Sequence, residues 1–171
     1  MIQTISAGLF EKNRKKFRER LKKNSLALFF SNHKMPRNGD QYFPYRQNSD
    51  LFYLAGIEQP DTILLMGPET EILFVKKPDT VHLLWEGDLL SKEDAGNMSG
   101  IAKIHWDEEF KNIFQKELKN TEFVYFNTPN NVSTSDVMTR DEIFLKQFRK
   151  DYPFHKILSS RSLMVDLRLV K

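Results

Sequence analysis

The sequence contains no cysteine, which excludes a disulfide framework, a thiolate metal site and a cysteine nucleophile. It has no apolar run near the roughly 20 residues that a membrane-spanning helix needs. Residues 1–8 lack the basic stretch and apolar block that begin a signal peptide. With seven glycines in the chain, we do not expect a glycine-rich phosphate loop. These absences predict a cytoplasmic protein with no membrane partner.

Catalytic motifs are missing as well. The four histidines are scattered, and none lies three or four residues from another, the spacing at which two histidines on a helix hold a metal ion. There is no G-x-S-x-G nucleophile elbow. The apolar runs that predict strands carry no carboxylate, which argues against a two-metal nuclease of the ribonuclease-H type. We therefore expect no catalytic residue and no metal ligand in this chain. The histidines are His33, His82, His105 and His155.

Positive charge is concentrated near the amino terminus. The net charge is only +3, yet residues 11–23 carry eight lysines and arginines against Glu11 and Glu19. A helix over residues 7–23, capped by Ser6, would bury an apolar stripe and leave the cations in solvent. The alternative is a free-standing binding module that uses this basic helix for an acidic partner. We favour a solvent-exposed basic face, because the rest of the chain supplies no second basic surface. We therefore expect no nucleic-acid partner.

Short apolar runs alternate with helical patterns over the whole length of 171 residues, which suits one domain. The runs are too apolar to be exposed on one side, so we predict an α/β fold: a mixed sheet of five to six strands with helices on both faces. A hairpin is expected at 62–75, and capping boxes at Ser91 and Thr139 predict helix starts. Predicted strands are 26–30, 62–66, 72–75, 101–106, 123–126 and 155–158; predicted helices are 7–23, 48–54, 80–85, 91–99, 107–118 and 139–151.

Residues 37–57 (the signature segment) mix polar and aromatic side chains more densely than any other stretch. We expect this loop to fold back on the sheet with its aromatic side chains inserted and its polar groups bonded to each other and to the backbone. Arg46 has the geometry to clamp a carboxylate or a row of carbonyls. Gly39 and Gly56 mark turns at the two ends of the segment.

The signature segment, R-N-G-D-x-x-x-P-Y-R-Q-N-S-D-L-F-Y-L-A-G, resembles the amino-terminal domain of Xaa-Pro aminopeptidases (aminopeptidase P), which is shared more loosely with prolidase and creatinase. The block from Leu73 through Trp85-Glu-Gly87 to Ile101 is also similar to that family. Within the signature segment, Arg46, Gln47, Ser49 and Asp50 are expected to form a network that pins the loop to the sheet. The residues identified as the structural signature are Arg37, Asp40, Tyr45, Arg46, Gln47, Ser49, Asp50, Tyr53 and Gly56.

The resemblance implies a creatinase/prolidase amino-terminal domain with a ribonuclease-H-like architecture and no catalysis of its own. The parent enzyme would remove the residue before a penultimate proline, using two divalent metal ions, usually manganese. These ions would lie in a carboxy-terminal pita-bread domain into which residues 163–171 lead, so we expect residues 1–171 to be one domain cut at a boundary. Partners would be that catalytic domain, neighbouring subunits of a homo-oligomer and proline-containing peptides.

Trp85 has a specific implied role in this family. The W-x-G loop can lie over a neighbouring subunit's active site, where Trp85 would form a flat apolar wall for a proline peptide; packing within its own domain is the other interpretation. The chain departs from the family at Leu83, where many relatives are acidic, and at 88–90, where basic residues are common. A prolidase- or creatinase-type parent remains an alternative.

Overall fold

The computed structural model describes residues 5–78, 89–128 and 138–169, which form a central six-stranded sheet covered by helices. The helices are α1 (Ala7–Arg18), α2 (Ser49–Ala55), α3 (Lys92–Ser99), α4 (Phe110–Leu118), α5 (Arg140–Asp151) and α6 (Arg161–Leu169), with a 3-10 turn at Asp107–Glu109. The strands are β1 (Ser25–Phe30), β2 (Pro36–Asn38), β3 (Gln41–Tyr42), β4 (Ile63–Met66), β5 (Glu71–Val75), β6 (Ile104–Trp106), β7 (Phe123–Phe126) and β8 (Lys156–Ser159).

The sheet order is β6-β5-β4-β1-β7-β8, and β2 and β3 form a separate hairpin. Strand β1 runs antiparallel to β4 and parallel to β7, with Leu28 opposite Leu65 on one side and Phe126 on the other. The pair β4–β5 is the predicted hairpin. The mixed α/β sheet with helices on both faces is therefore confirmed.

Successive residues of each strand point to opposite faces, which gives the protein two cores. Ala27 and Phe29 face α1, α2, α3 and α6. Leu28 and Phe30 face α4 and α5, where a cluster of phenylalanine rings packs edge to face and in stacks. The continuous apolar runs of the sequence thus reflect strands that are buried on both sides.

Several local predictions need correction. Helix α1 ends at Arg18 instead of residue 23, because the next turn tightens and the Arg20 and Leu21 N–H groups bond to carbonyls three residues back. The chain then turns through Asn24, in the left-handed region at φ 54°, to enter β1. The helix predicted at 107–118, with Asp107 as its cap, begins only at Phe110. Asp107 instead accepts the backbone N–H of Lys77 at 3.0 Å, and a 3-10 turn precedes α4. The predicted helix at 80–85 lies outside the described residues. The helical spacing of apolar residues also predicts burial of three side chains that the structure exposes by 40 to 50 %: Leu9, Met98 and Ile143.

The predicted helix starts at Ser6, Ser91 and Thr139 are confirmed. Ser6 accepts the Gly8 N–H, Ser91 accepts the Asp94 N–H, and Thr139 forms a reciprocal capping box with Glu142. No helix among the described residues is both long and apolar enough to cross a membrane.

Candidate functional site

The signature segment folds as the β2–β3 hairpin, a loop and α2, and α2 packs on the sheet face formed by Ala27 and Phe29. Asn48 caps α2 by accepting the backbone N–H groups of Asp50 and Leu51 at 3.0 and 3.2 Å. Gly56 ends the helix in the left-handed region at φ 68°. A Cβ at Gly56 would lie 2.2 Å from the Phe10 ring, so the close approach of α1 and α2 also requires glycine there.

Gln47 holds the loop in place. Its side chain is buried, and its Nε2 donates to the carbonyl oxygens of Ile57 and Gln59 at 3.1 and 3.0 Å. Its Oε1 accepts the Asn48 N–H at 2.8 Å and the Tyr45 hydroxyl at 2.9 Å. Burial raises the pKa of Tyr45 to about 12, so this hydroxyl stays a donor. The loop before α2 is thereby fixed to the segment after it.

Two further signature residues reach the last helix. Asp50 Oδ1 lies 2.7 Å from Arg168 Nη1 on α6, and its Oδ2 accepts a hydrogen bond from Asn127 at 3.0 Å. The Tyr53 hydroxyl donates to the Leu167 carbonyl at 3.2 Å. The inner side of α6 is buried in the same core as α2. Helix α2 therefore sets the position of α6.

The remaining signature residues do not join this network. Arg37, Asp40, Arg46 and Ser49 are exposed; Arg37 lies over the Phe43 ring with its guanidinium carbon 5.8 Å from the centroid. The Arg46 side chain donates to no described residue, and only its carbonyl is used, by Asn32 at 2.9 Å.

Two predictions about the segment are therefore wrong. Arg46 does not pin the loop, because the loop's carbonyls are taken by Gln47 and Tyr45. The Tyr42 and Phe43 rings, at the end of β3, are not inserted either, since both are 52 % exposed. Trp85 lies outside the described residues, and its role stays a prediction.

A groove of about 1020 Å³ lies between α1, the signature segment and α6. Its floor is largely apolar, with Phe10, Phe52 and Leu167 among its residues. Cationic side chains surround this floor, and the only carboxylate among the lining residues is Glu58. The groove is lined by Ile5, Leu9, Phe10, Lys12, Asn13, Lys16, Pro44, Tyr45, Arg46, Gln47, Ser49, Phe52, Tyr53, Glu58, Leu167 and Arg168.

The basic helix contains a buried arginine that sequence reasoning missed. Arg14 is fully buried. Its Nε lies 3.0 Å from Glu71 Oε2, and its Nη1 donates to the carbonyls of Leu54 and Ser99 at 2.9 and 2.8 Å. Both carbonyls belong to the last turns of helices, where the helix dipole favours a cation. The available signal was spacing, because Arg14 lies on the same helix face as Phe10 and Phe17.

A second arginine of α1 is also turned inward. Arg18 donates to the Gly67 carbonyl at 3.2 Å and to the Pro68 carbonyl at 2.7 Å. Two of the eight cations in residues 11–23 are thus satisfied by the protein itself. The surface available for an acidic partner is smaller than the sequence indicates.

The described residues hold no group of three or more His, Asp or Glu side chains arranged to bind a metal ion. His105 instead lies 3.1 Å from Glu109 Oε1. The Trp106 N–H bonds to Glu109, and this bond and the His105 contact lower the pKa of Glu109 to about 2. The donor set of the described residues does not fit a dinuclear metal site.

Comparison of the sequence with family models and with known proteins points to one family. Residues 10–125 match the family model for the aminopeptidase P N-terminal domain. The chain is 28 % identical to a Xaa-Pro aminopeptidase of Haemophilus influenzae over 95 % of its own length and 36 % of the relative's. The corresponding enzyme of Escherichia coli is 26 % identical over 99 % of the chain and 38 % of the relative.

Solved structures share the fold. An aminopeptidase P candidate from Bacillus anthracis superposes with a TM-score of 0.90 at 24 % identity, over 98 % of this chain and 41 % of that one. An Escherichia coli aminopeptidase P variant gives a TM-score of 0.81 at 21 % identity, over 99 % of this chain and 40 % of that one. The chain therefore spans well under half the length of the proteins that it matches.

Proposed function

The chain belongs to the aminopeptidase P N-terminal domain family, and from this we propose that it is the non-catalytic amino-terminal domain of a metal-dependent Xaa-Pro aminopeptidase. The match over residues 10–125 carries the proposal. The named relatives with the most extensive matches are Xaa-Pro aminopeptidases, which favours this parent over a prolidase or a creatinase.

In this proposal the chemistry belongs to a region outside the chain. The parent would release the residue before a penultimate proline, and two divalent metal ions, manganese in this family, would supply a nucleophilic hydroxide when bound. Because the donor set of the described residues does not fit such a site, no step of hydrolysis is assigned to them. Their role is to position and shape the parent enzyme, in the cytoplasm as the sequence predicts.

The groove is the surface proposed to receive the catalytic region. Helix α6 borders it, and an N-terminal domain must connect to the rest of its parent beyond this last described helix. The contacts of Asp50 and Tyr53 with α6 would then fix the direction in which the chain continues from this domain into the catalytic region. The apolar floor and the cations around it suit an apolar segment with acidic side chains.

We also propose that the chain helps to assemble oligomers and to shape the substrate entrance of the parent. These two roles are supported by the family relationship alone. Trp85 is the residue proposed to reach a neighbouring subunit's active site, where an indole would stack on a proline ring. The other candidate, a module that binds an acidic partner through α1, is weakened by the inward contacts of Arg14 and Arg18.

The test compares Leu9→Glu with Ile143→Glu. Both side chains are half exposed, at 50 % and 49 %, but Leu9 lies in the groove and Ile143 lies on α5, on the other face of the sheet. In the isolated chain both changes should shift the free energy of unfolding by less than about 0.5 kcal/mol. In the full-length parent only Leu9→Glu should lower the thermal midpoint and the rate of Xaa-Pro-peptide cleavage.

Equal effects of the two variants on the parent would contradict the docking role of the groove. Turnover of a Xaa-Pro peptide by the pure chain with added manganese would refute the non-catalytic assignment itself.

A further inference from the structure

A second cavity lies on the far side of the loop that carries Arg46, between the β2–β3 hairpin and the start of α5. Its volume is about 320 Å³. Three exposed apolar side chains meet there: Met35, Phe43 and Met138, at 47, 52 and 41 % exposure. Among the described residues the wall includes no carboxylate; these wall residues are Asn32, His33, Met35, Phe43, Pro44, Tyr45, Arg46, Met138, Thr139 and Arg140.

Arg140 brings a partly used guanidinium to this cavity. Its Nη1 donates to Ser31 Oγ at 2.6 Å and lies 3.2 Å from Asp61 Oδ1. Its Nε and Nη2 donate to none of the residues that the structure describes. Asp61 also pairs with Lys76 at 3.3 Å, so its single negative charge is shared between two cations. An excess of positive charge remains beside the cavity.

Arg46 adds a second guanidinium on the same wall. The side chain is exposed, and within the described parts of the chain it has no hydrogen-bond or ion-pair partner. The nearby Glu58 lines the groove on the other side of Tyr45 and is not part of this cavity. Two arginines with N–H donors that no described residue accepts therefore border one small, mostly apolar space.

We propose that this cavity binds the free carboxyl terminus of a short peptide whose last side chain is apolar. Guanidinium groups suit carboxylates because two parallel N–H donors can meet the two oxygens. In a terminal residue an apolar side chain sits beside the carboxylate, which matches apolar walls next to two arginines. The volume lies at the lower end of the range for small-ligand pockets. The inference rests on the proposed function only in choosing peptides among possible carboxylates.

The test is a titration of the ¹⁵N-labelled 171-residue chain with N-acetyl-alanyl-leucine, its C-terminal amide and acetate. The free acid should shift the amide signals of Phe43, Thr139 and Arg140. The amide, and acetate, should each bind about tenfold more weakly, since one lacks the charge and the other lacks the side chain.

Arg46→Gln should weaken binding of the free acid by about tenfold. Arg149→Gln is the matched control, because Arg149 is an exposed arginine on α5 that has no partner among the described residues; it should leave binding unchanged. The spectra of both variants report whether the fold is intact.

Equal binding of acid and amide, or an unchanged affinity in Arg46→Gln, would overturn the proposal. So would shifts confined to groove residues such as Leu9 and Phe52, which would indicate docking elsewhere, or acetate binding as tightly as the peptide, which would indicate a general anion site. These measurements need no catalytic region, so their failure would leave the family role and the Leu9→Glu test untouched.

Discussion

Gly56 occupies a position that no other residue can fill without cost. Its φ of 68° lies in the left-handed region, and the Phe10 ring closes the space where a side chain would begin. Gly39 has a similar φ of 56°, yet no atom of the described residues lies within 4 Å of the position that a Cβ would take there. Substitutions at the two glycines therefore distinguish the cost of a left-handed backbone from the cost of a steric clash.

We predict that Gly39→Ala lowers the free energy of unfolding by about 1 kcal/mol, the cost of left-handed backbone for a residue with a Cβ. Gly56→Ala should lower it by about 1 to 3 kcal/mol more, because Phe10 must also be displaced. Urea unfolding of both variants measures the difference. Similar losses in the two variants would show that Phe10 can move aside without cost.

Two arginines show how far single residues can be predicted from this sequence. Arg46, in the signature segment, was expected to be structural and is exposed without a partner among the described residues. Arg14, in a run of cations, was expected to be solvated and is fully buried. Composition describes neighbours in sequence, whereas burial depends on helix ends at Leu54 and Ser99 that only the fold brings together.

At the scale of elements, α6 depends on α2. The Asp50–Arg168 ion pair has a side-chain exposure of 19 % for Asp50 and 46 % for Arg168. The Lys156–Glu122 pair has the same length of 2.7 Å but exposures of 64 % and 50 %. Partial burial reduces screening by water and ions, so the first pair should be coupled more strongly.

A double-mutant cycle with Asp50→Asn and Arg168→Gln should give a coupling energy of up to about 1 kcal/mol. The matched cycle with Glu122→Gln and Lys156→Gln should give less than about 0.5 kcal/mol. Both are read from urea unfolding of the chain. Coupling of the same size in both cycles would mean that Asp50 does not hold α6 through Arg168.

Most elements were predictable because each has a local cause. Strands β1, β4, β5 and β7 are apolar runs, the β4–β5 hairpin joins two of them, and α1, α3 and α5 start at Ser or Thr caps. The order of the strands had no such signal: β7 lies beside β1 although about 90 residues separate them in the chain. The contact of Asp50 with α6 joins residues 118 positions apart, so it likewise could not be predicted from the sequence.

At the scale of the whole molecule, one buried acid links stability to pH. Asp141 is 2 % exposed at the start of α5. Burial raises the pKa of Asp141 to about 8, although the backbone N–H groups of Asn127 and Phe30 favour the charged form. Its Oδ1 has no hydrogen-bond partner in the described part of the chain. The ordinary value of 3.8 applies to the unfolded chain.

Between about pH 4 and 8 the folded protein keeps a proton on Asp141 that the unfolded chain has released. Stability from this group is therefore full at low pH, falls as pH rises through that window, and is constant above about pH 8. We expect the difference in unfolding free energy between wild type and Asp141→Asn to fall by up to about 1.4 kcal/mol per pH unit there. Urea unfolding from pH 5 to pH 8 measures it.

The control is Asp40→Asn, which changes an exposed aspartate on the β2–β3 hairpin. The difference between wild type and this variant should show no comparable slope. A difference between wild type and Asp141→Asn that stays constant with pH would contradict the prediction, since it would mean that Asp141 titrates alike in the folded and unfolded chains.

The buried guanidinium of Arg14 has a consequence for how the helices around it open locally. It bonds at once to the final turns of α2 and α3 and to Glu71 on β5. If one of these partners moved away, the Arg14 cation would remain buried without that hydrogen bond or ion pair. Because such a state is unfavourable, the partners should open together. Amide hydrogen exchange in α1, α2 and α3 should accordingly proceed as one cooperative unit, slower than the fraying of each helix alone.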